Sequence, residues 1–403
     1  MAKIDIHHCD RRIALLWKRI DGSEEILKCN KKLIKSFYSE LSASGLSLGR
    51  IDYYIEMLYT ISLLLKKDFR KVKKNDIINL LNKIEEKGYS IYSKANFRIT
   101  IKKFFKWLDG DKEYPEIVSW IKVNGGKIKN RSSDEMITED DIKKLINTAE
   151  NPRDKAFIAV LYESGCRIGE ILPLQKKNII FDKHGAILNV DGKTGPRPVR
   201  LISSVPYLAT WINNLPSQDQ DSFVWISIGT RNRHKLLGYV SIIFVLQRLF
   251  AKAVIKKKFN PHLFRHSRAS YLANYLTEAQ LCQYMGWVPG SRMASVYVHL
   301  SGRDVDKAIM KVYGLENEAE KKEESVLKPK KCPRCEKINP ATAKLCNNCG
   351  LALDIKTAIE MEERNKEIEK ARNKVDAFIL EAIKRSPEIE KMVLRAIEGK
   401  NSY

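Results

Sequence analysis

The chain contains no run of the ~18 apolar residues that a membrane-spanning helix needs, and its first ten residues, MAKIDIHHCD, lack the apolar core of a secretory signal. These absences argue against a membrane protein and a secreted one; the expected location is the cytoplasm, in association with the nucleoid. Negative charge is also scarce. Against 72 Lys and Arg stand 49 Asp and Glu, a net charge of +23. A deficit of that size on a folded protein implies a polyanionic partner, most economically double-stranded DNA gripped by phosphate neutralisation and counterion release. The C-terminal stretch does not supply it: from Ile355 onward 11 basic residues face 10 acidic ones. Cysteine is sparse too, at 8 in 403 residues, with four in one cluster. That pattern points to metal in a reducing compartment and away from a disulfide framework. No internal repeat is present beyond the paired CxxC of that cluster.

At 403 residues, 44% of them hydrophobic, the chain is long enough for two or three domains with real cores plus small appendages. After an N-terminal extension (1–29), residues 30–123 read as a helical domain. Leu33, Ile34, Phe37 and Leu41 share one helical face, Ile77, Leu80, Leu81 and Ile84 a second, and Phe97, Ile101, Phe104, Phe105 and Leu108 a third. With Tyr53 to Leu65 they predict four helices whose outward positions carry Lys and Arg. Pattern alone suits a plain bundle as well as a DNA clamp.

The polar, glycine-containing run at 124–135 marks a linker. Thr138 and Asp141 then form a capping box, flanked by Ile137 and Ile142 as a hydrophobic staple. Helices are expected at about 138–149 and 153–164, and again near Val205, Val240, Arg268 and Glu278. Between them, Ile179 to Phe181, Ala186 to Val190 and Pro198 to Leu201 are short β-prone runs separated by tight turns, a small antiparallel sheet. The second domain (136–316) is therefore helical with one small sheet, and the predicted fold class is mainly α. A charged linker (317–331), the cysteine cluster (332–353) and a helical tail (354–403) follow. The tail breaks at Ser386-Pro387. Its Ile368, Ala371, Val375, Phe378 and Ala382 lie in near-heptad register over about two heptads, too few to read as a coiled coil. It packs on the second domain or joins protomers.

The cluster reads Cys332-Pro-Arg-Cys335, ten residues, Cys346-Asn-Asn-Cys349-Gly350. Each CxxC converges two thiolates from a turn, and two pairs complete a tetrahedral zinc site. So short a segment cannot bury a core, so metal supplies its folding energy. Four protein thiolates leave no open position, which makes the zinc structural. The segment resembles a zinc ribbon. Arg334, Lys337 and Lys344 suit contact with DNA, and docking on protein suits it nearly as well. Cys9, Cys29, Cys166 and Cys282 are scattered and read as ordinary thiols.

Cutting a phosphodiester without a metal requires cations around the phosphate, a nucleophile and an acid for the leaving oxygen. Arg167, Lys193, His262 and Arg265 are candidates for the cations and proton carriers, and Tyr297 for the nucleophile. SGCRIGEIL (164–172), VDGKTG (190–195), HLFRH (262–266), MGW (285–287) and SVYVHL (295–300) occur in the order and at roughly the spacing of the tyrosine recombinases, the phage-integrase and Xer-like family, which residues 30–316 resemble.

The resemblance implies that the helical first domain is a core-binding domain and the second the catalytic domain. By the same match, Arg167 and Arg265 hold the scissile phosphate with their planar forks, and Glu170 orients the site. Lys193, on a hairpin turn, matches the lysine that protonates the departing 5′ oxygen; His262, on the same helical face as Arg265, matches the histidine of proton handling and phosphate contact. Trp287 stands where the family has His or Trp, and its indole N–H suits a phosphate. Tyr297, ten residues after Trp287, matches the nucleophile. That interval is one residue longer than the family's usual one, with Pro289-Gly290 the site of the extra residue. His266, Arg268 and His299 are expected in structural or DNA-contacting roles. Taken singly, Glu170 is an ordinary surface charge, Trp287 a core residue and Lys193 one of many lysines; the linked set distinguishes them.

The implied activity is site-specific recombination through a 3′-phosphotyrosyl intermediate and a Holliday junction, by a tetramer on paired half-sites, without ATP or catalytic metal. An accessory protein is a further expected partner. The added ribbon and tail favour integration and excision of a mobile element, with Xer-like chromosome dimer resolution as the alternative. A type IB topoisomerase-like relaxase and a catalytically silent DNA-binding regulator are the rival readings; an RNA-binding zinc protein leaves the five linked motifs unexplained.

Overall fold

A computed structural model describes residues 5–6, 8–110, 112–123, 133–230, 232–290, 293–294, 297, 313, 325–385, 388 and 391. The chain divides into two compact units, Met1–Met136 with Trp225–Leu246, and Ile137–Val224 with Gln247–Tyr403.

The first unit holds α1 (Cys9–Gly22), α2 (Lys28–Ala43), α3 (Leu48–Leu65), α4 (Lys74–Glu86), α5 (Ile91–Leu108) and the short α6 (Glu116–Ser119). The apolar faces expected on α2, α4 and α5 are buried together. Phe104 is the hub, with its ring edge-on to Phe37 at 5.3 Å and to Phe69 at 4.9 Å between centroids. Asn30, fully buried, ties α2 to the loop after α3: its amide donates to the Lys67 carbonyl (2.8 Å) and its oxygen accepts from the Phe69 N–H (3.0 Å).

Two features differ from the sequence expectation. Residues 9–22 are a helix of this core, because Leu16 and Ile20 fill it; the flanking Asp10, Arg11, Arg12, Lys18 and Arg19 disguise that stripe. Among the described residues, five long helices, α1 to α5, therefore stand where four were expected. Trp225–Leu246 also belongs to this unit, where the Tyr239 N–H donates to the Ile6 carbonyl at 3.2 Å.

The second unit begins with α7 (Glu139–Thr148), and its capping box of Thr138 and Asp141 is formed as expected. Next comes α8 (Pro152–Ser164), which starts at the N-cap Asn151 and stops at Gly165 in the left-handed region (φ 56°). Almost every residue of α8 is buried. The short α9 (Ile168–Ile171) precedes a three-stranded antiparallel sheet of β1 (Ile179–Asp182), β2 (Gly185–Gly192) and β3 (Gly195–Leu201), in that order. Gly192 pairs with Gly195, so Lys193 and Thr194 form a two-residue hairpin tip. The helices α10 (Val205–Asn213), α12 (Pro261–Ala273) and α13 (Glu278–Met285) complete the helical part, together with the last turns of α11 (Tyr239–Lys252), whose residues up to Leu246 belong to the first unit.

A buried carboxylate closes the sheet onto the helices. Glu163 accepts hydrogen bonds from the N–H groups of Ile202, Ser203 and Ser204 and from the Ser204 hydroxyl, all between 2.6 and 2.9 Å. It thereby satisfies free donors at the start of α10.

The cysteine segment carries a small hairpin, β4 (Lys330–Lys331) with β5 (Ile338–Asn339). It lies against the helices of the same unit. Thr342 and Tyr207 share a hydroxyl hydrogen bond (2.8 Å), the Ser325 hydroxyl and Val326 N–H donate to the Glu139 carboxylate, and Leu327 sits with Ile146, Ala159, Ser203 and Tyr207. The tail forms α14 (Ile355–Arg385), and the break expected at Ser386-Pro387 lies outside the described residues. Of the two outcomes open for it, packing on the body is not observed: Ile368, Val375 and Phe378 are exposed, and Thr357 is its buried position among the described residues. Among the described residues no helix is long and apolar enough to cross a membrane.

Candidate active site

The site is assembled where α8 ends, where α12 begins and where α13 ends. Gly165, after α8, allows the chain to turn, which places Arg167 at the start of α9. Glu170, one turn later, accepts the Arg167 backbone N–H (2.9 Å) and its guanidinium (2.9 Å). The same guanidinium reaches the Gly286 carbonyl at 3.3 and 3.4 Å.

Arg265 comes from the first turns of α12, whose N-cap is Asn260 with Pro261 following. It is 6% exposed and donates to the carbonyls of Gly165 (2.8 Å) and Met285 (2.6 Å). Its guanidinium also stands 5.3 Å above the Trp287 ring. Trp287 stacks on Tyr297, with centroids 5.4 Å apart and planes 7° from parallel. Arg167, Glu170, Arg265, Trp287 and Tyr297 thus form one contiguous cluster through side chains and the carbonyls beside Gly165 and Gly286.

The remaining candidates stand at its edge. Lys193 is exposed at the hairpin tip, and its neighbour Thr194 donates to the Gly286 carbonyl at 3.4 Å, the oxygen that also receives Arg167. His262 is exposed on the first turn of α12. His299 lies outside the described residues.

Three residues of the site were not picked out as functional from sequence. Arg197, on β3, is buried and donates to the Glu170 carboxylate (2.8 Å) and the Tyr284 carbonyl (3.0 Å). The signal was available: Arg197 alternates with Val199 and Leu201 on the inward face of β3, and a cation at such a position requires a buried partner. His266 meets the Tyr297 hydroxyl through Nδ1. Arg268, expected to be structural or DNA-contacting, donates to the Glu163 carbonyl (2.9 Å) and stacks over Tyr162 and Tyr271.

The electrostatics are those of a buried cationic nest around one carboxylate. Burial by itself raises the Glu170 carboxyl, but hydrogen bonds from Arg197 and Arg167 outweigh it and hold the group below its ordinary value. Burial, then the like charge of Arg167, lowers Arg265 to about 10, so it remains a cation at neutral pH. Burial pushes the Cys166 thiol up to about 11, consistent with an inert core thiol. Two guanidinium forks in one cluster, with a stacked tyrosine beside them, constitute an arrangement suited to an anionic oxyacid ester.

The four-cysteine cluster forms as expected. The sulfurs of Cys332, Cys335, Cys346 and Cys349 lie within 4.8 Å of one another, close to the roughly 3.8 Å separation that Zn–S bonds of about 2.3 Å impose on a tetrahedron.

A helical domain followed by a helical body with a small sheet and the cluster of Arg167, Glu170, Arg265, Trp287 and Tyr297 is the architecture of a DNA strand-transferring recombinase. Residues 135–303 match the phage integrase family and residues 34–111 match the phage integrase N-terminal SAM-like domain. The chain belongs to the phage integrase family of tyrosine recombinases. Tyrosine recombinase XerA of Pyrococcus horikoshii is 26% identical over 290 residues, 72% of this chain and 95% of the relative. Among solved structures, a lambda integrase dimer bound to a COC′ core site shares the fold with a TM-score of 0.54 at 17% identity, covering 68% of this chain and 78% of that one. The XerH recombinase bound to palindromic difH substrate gives 0.52 at 16%, covering 77% and 98%.

Proposed function

We propose that the protein is a site-specific DNA recombinase that attacks a phosphodiester with Tyr297. The attack forms a 3′-phosphotyrosyl bond and frees a 5′-hydroxyl, which then attacks the partner strand by way of a Holliday junction. The observation that carries this is the contiguous cluster: Arg265 over Trp287, Trp287 stacked on Tyr297, and Arg167 meeting the Gly286 carbonyl. In this reading Arg167 and Arg265 exchange their carbonyl partners for the non-bridging phosphate oxygens, and Glu170 with Arg197 keeps Arg167 in place. Lys193, at a hairpin tip beside the Gly286 carbonyl, protonates the 5′ oxygen. His262 contacts the phosphate, and Trp287 donates its indole N–H to it.

The substrate is double-stranded DNA with paired half-sites, and four protomers act on two duplexes. Integration or excision of a mobile element is the biological task we favour, because more than a quarter of this chain lies outside its match to the XerA relative. Cys332, Cys335, Cys346 and Cys349 hold a structural zinc, and neither ATP nor a catalytic metal takes part. The test uses nicked duplexes from DNA flanking the gene, incubated in EDTA with wild type and Tyr297→Phe and resolved on a denaturing gel. A covalent protein–DNA adduct from wild type only is expected. An equal adduct from Tyr297→Phe would move the nucleophile elsewhere.

A further inference from the structure

The proposed reaction requires that a phenol, whose pKa is ordinarily near ~10, lose its proton as it attacks. Arginine forks can stabilise the resulting charge but cannot accept the proton. Lysine at the hairpin tip is the group read as donor to the leaving oxygen, so it must stay protonated until that bond breaks. A separate acceptor at the tyrosine is therefore needed, and the family match points first to His262.

His262 is exposed on the first turn of α12, whereas His266, one turn further along the same helix, presents Nδ1 to the Tyr297 hydroxyl. The two rings lie 5.9 Å apart between centroids, and Trp287 covers another side of the tyrosine by stacking. Tyr297 is 4% exposed, so bulk water is not its natural proton acceptor.

We infer that His266 is the catalytic proton acceptor for Tyr297. The assignment rests on the proposed transesterase reading and deepens it. In the tautomer with hydrogen on Nε2, Nδ1 carries the lone pair that accepts. The proton passes from the Tyr297 oxygen to His266 Nδ1 as that oxygen bonds to phosphorus; the bond from phosphorus to the 5′ oxygen breaks, and that oxygen takes a proton from Lys193. In rejoining, the 5′-hydroxyl attacks phosphorus and gives its proton to Lys193, while His266 returns the proton to the departing tyrosine oxygen. Each half-reaction balances, with no oxidant, nucleotide or metal consumed.

Position along α12 explains why one helix supplies both the phosphate clamp and the base. Arg265 and His266 are adjacent and so diverge around the helix: Arg265 reaches back to the Gly165 and Met285 carbonyls, and His266 reaches the tyrosine.

The experiment measures single-turnover adduct formation on nicked duplexes by the full-length protein, for wild type, His266→Ala, His266→Asn and Tyr297→Phe. Duplex binding, followed by gel shift, reports whether each variant is folded. A positioned base contributes typically 10²–10⁴-fold, so both His266 variants are expected to form adduct at least about 100-fold more slowly while binding DNA like wild type. Imidazole added to the buffer should raise the rate of His266→Ala at least about tenfold by occupying the vacated space, and should leave His266→Asn and Tyr297→Phe unchanged. A structural role would not respond to imidazole. If His266→Asn forms adduct within about threefold of wild type, or if His266→Ala binds normally and is slow but not rescued, the proton goes elsewhere and the assignment is wrong. Adduct absent from wild type, or present with Tyr297→Phe, overturns the transesterase reading itself, and that result is distinguishable from loss in the His266 variants alone.

Discussion

Arg265 illustrates how much the site asks of one residue. Its guanidinium gives up water for two backbone carbonyls and an indole face, and burial together with the like charge of Arg167 lowers its pKa to about 10. Those contacts are neutral and the Glu170 charge offsets only part of the loss, so an incoming phosphate supplies the missing counter-charge. Arg265→Ala is expected to lower cleavage by about 10²–10³-fold, the loss typical of removing one donor from a charge-stabilising site. Binding to duplex, spread over a surface of net charge +23, should fall by less than about tenfold; a loss of equal size in both would make Arg265 an anchor for DNA only. Residues recognisable by order and spacing, namely Arg167, Glu170, Arg265, Trp287 and Tyr297, do converge. Those that escaped, Arg197, His266 and Arg268, act through partners 27 to 105 positions away in sequence, and a single sequence carries no record of which distant groups meet.

Elements show the same division between local and distant causes. The capping box at Thr138, the stop at Gly165 and the glycine-flanked turn at Lys193 are dictated by neighbours within a few residues, so they were legible. The α1 stripe was obscured by its charges, and the assignment of Trp225–Leu246 depends on where Ile6 lies. One element end carries particular weight. Gly286 closes α13 in the left-handed region (φ 63°), its carbonyl receives Arg167 and Thr194, and a Cβ there would stand 2.6 Å from the Arg197 guanidinium. Gly286→Ala combines a strained backbone, worth about 1–3 kcal/mol, with displacement of a buried cation. A lower melting temperature and slower adduct formation are expected together, and an unchanged melting temperature would show that Arg197 moves aside freely.

At the scale of the molecule, the cysteine segment and the end of the linker before it are part of the second unit and lie against α7, α8 and α10 through Ser325, Leu327 and Thr342. Helix α8 leads directly to Arg167, so zinc in the ribbon would support the body that carries the site without touching the reacting atoms. A strong zinc chelator is expected to release about one zinc per chain and to lower the melting temperature, with adduct still forming at temperatures where the body stays folded. Complete loss of adduct with the fold retained would place a metal in the chemistry. The tail adds a different feature: α14 leaves Ile368, Val375 and Phe378 exposed.

The identity of the nucleophile is the claim on which the rest depends, and it is best measured on the covalent complex itself. Wild-type protein trapped on a nicked duplex in EDTA is digested with protease and nuclease, and the peptide bearing a nucleotide is sequenced by mass spectrometry. A phosphonucleotide on the Tyr297 oxygen, joined through the 3′ end of the DNA, is the expected result. A nucleotide on any other residue, or linkage through a 5′ phosphate, would contradict the mechanism.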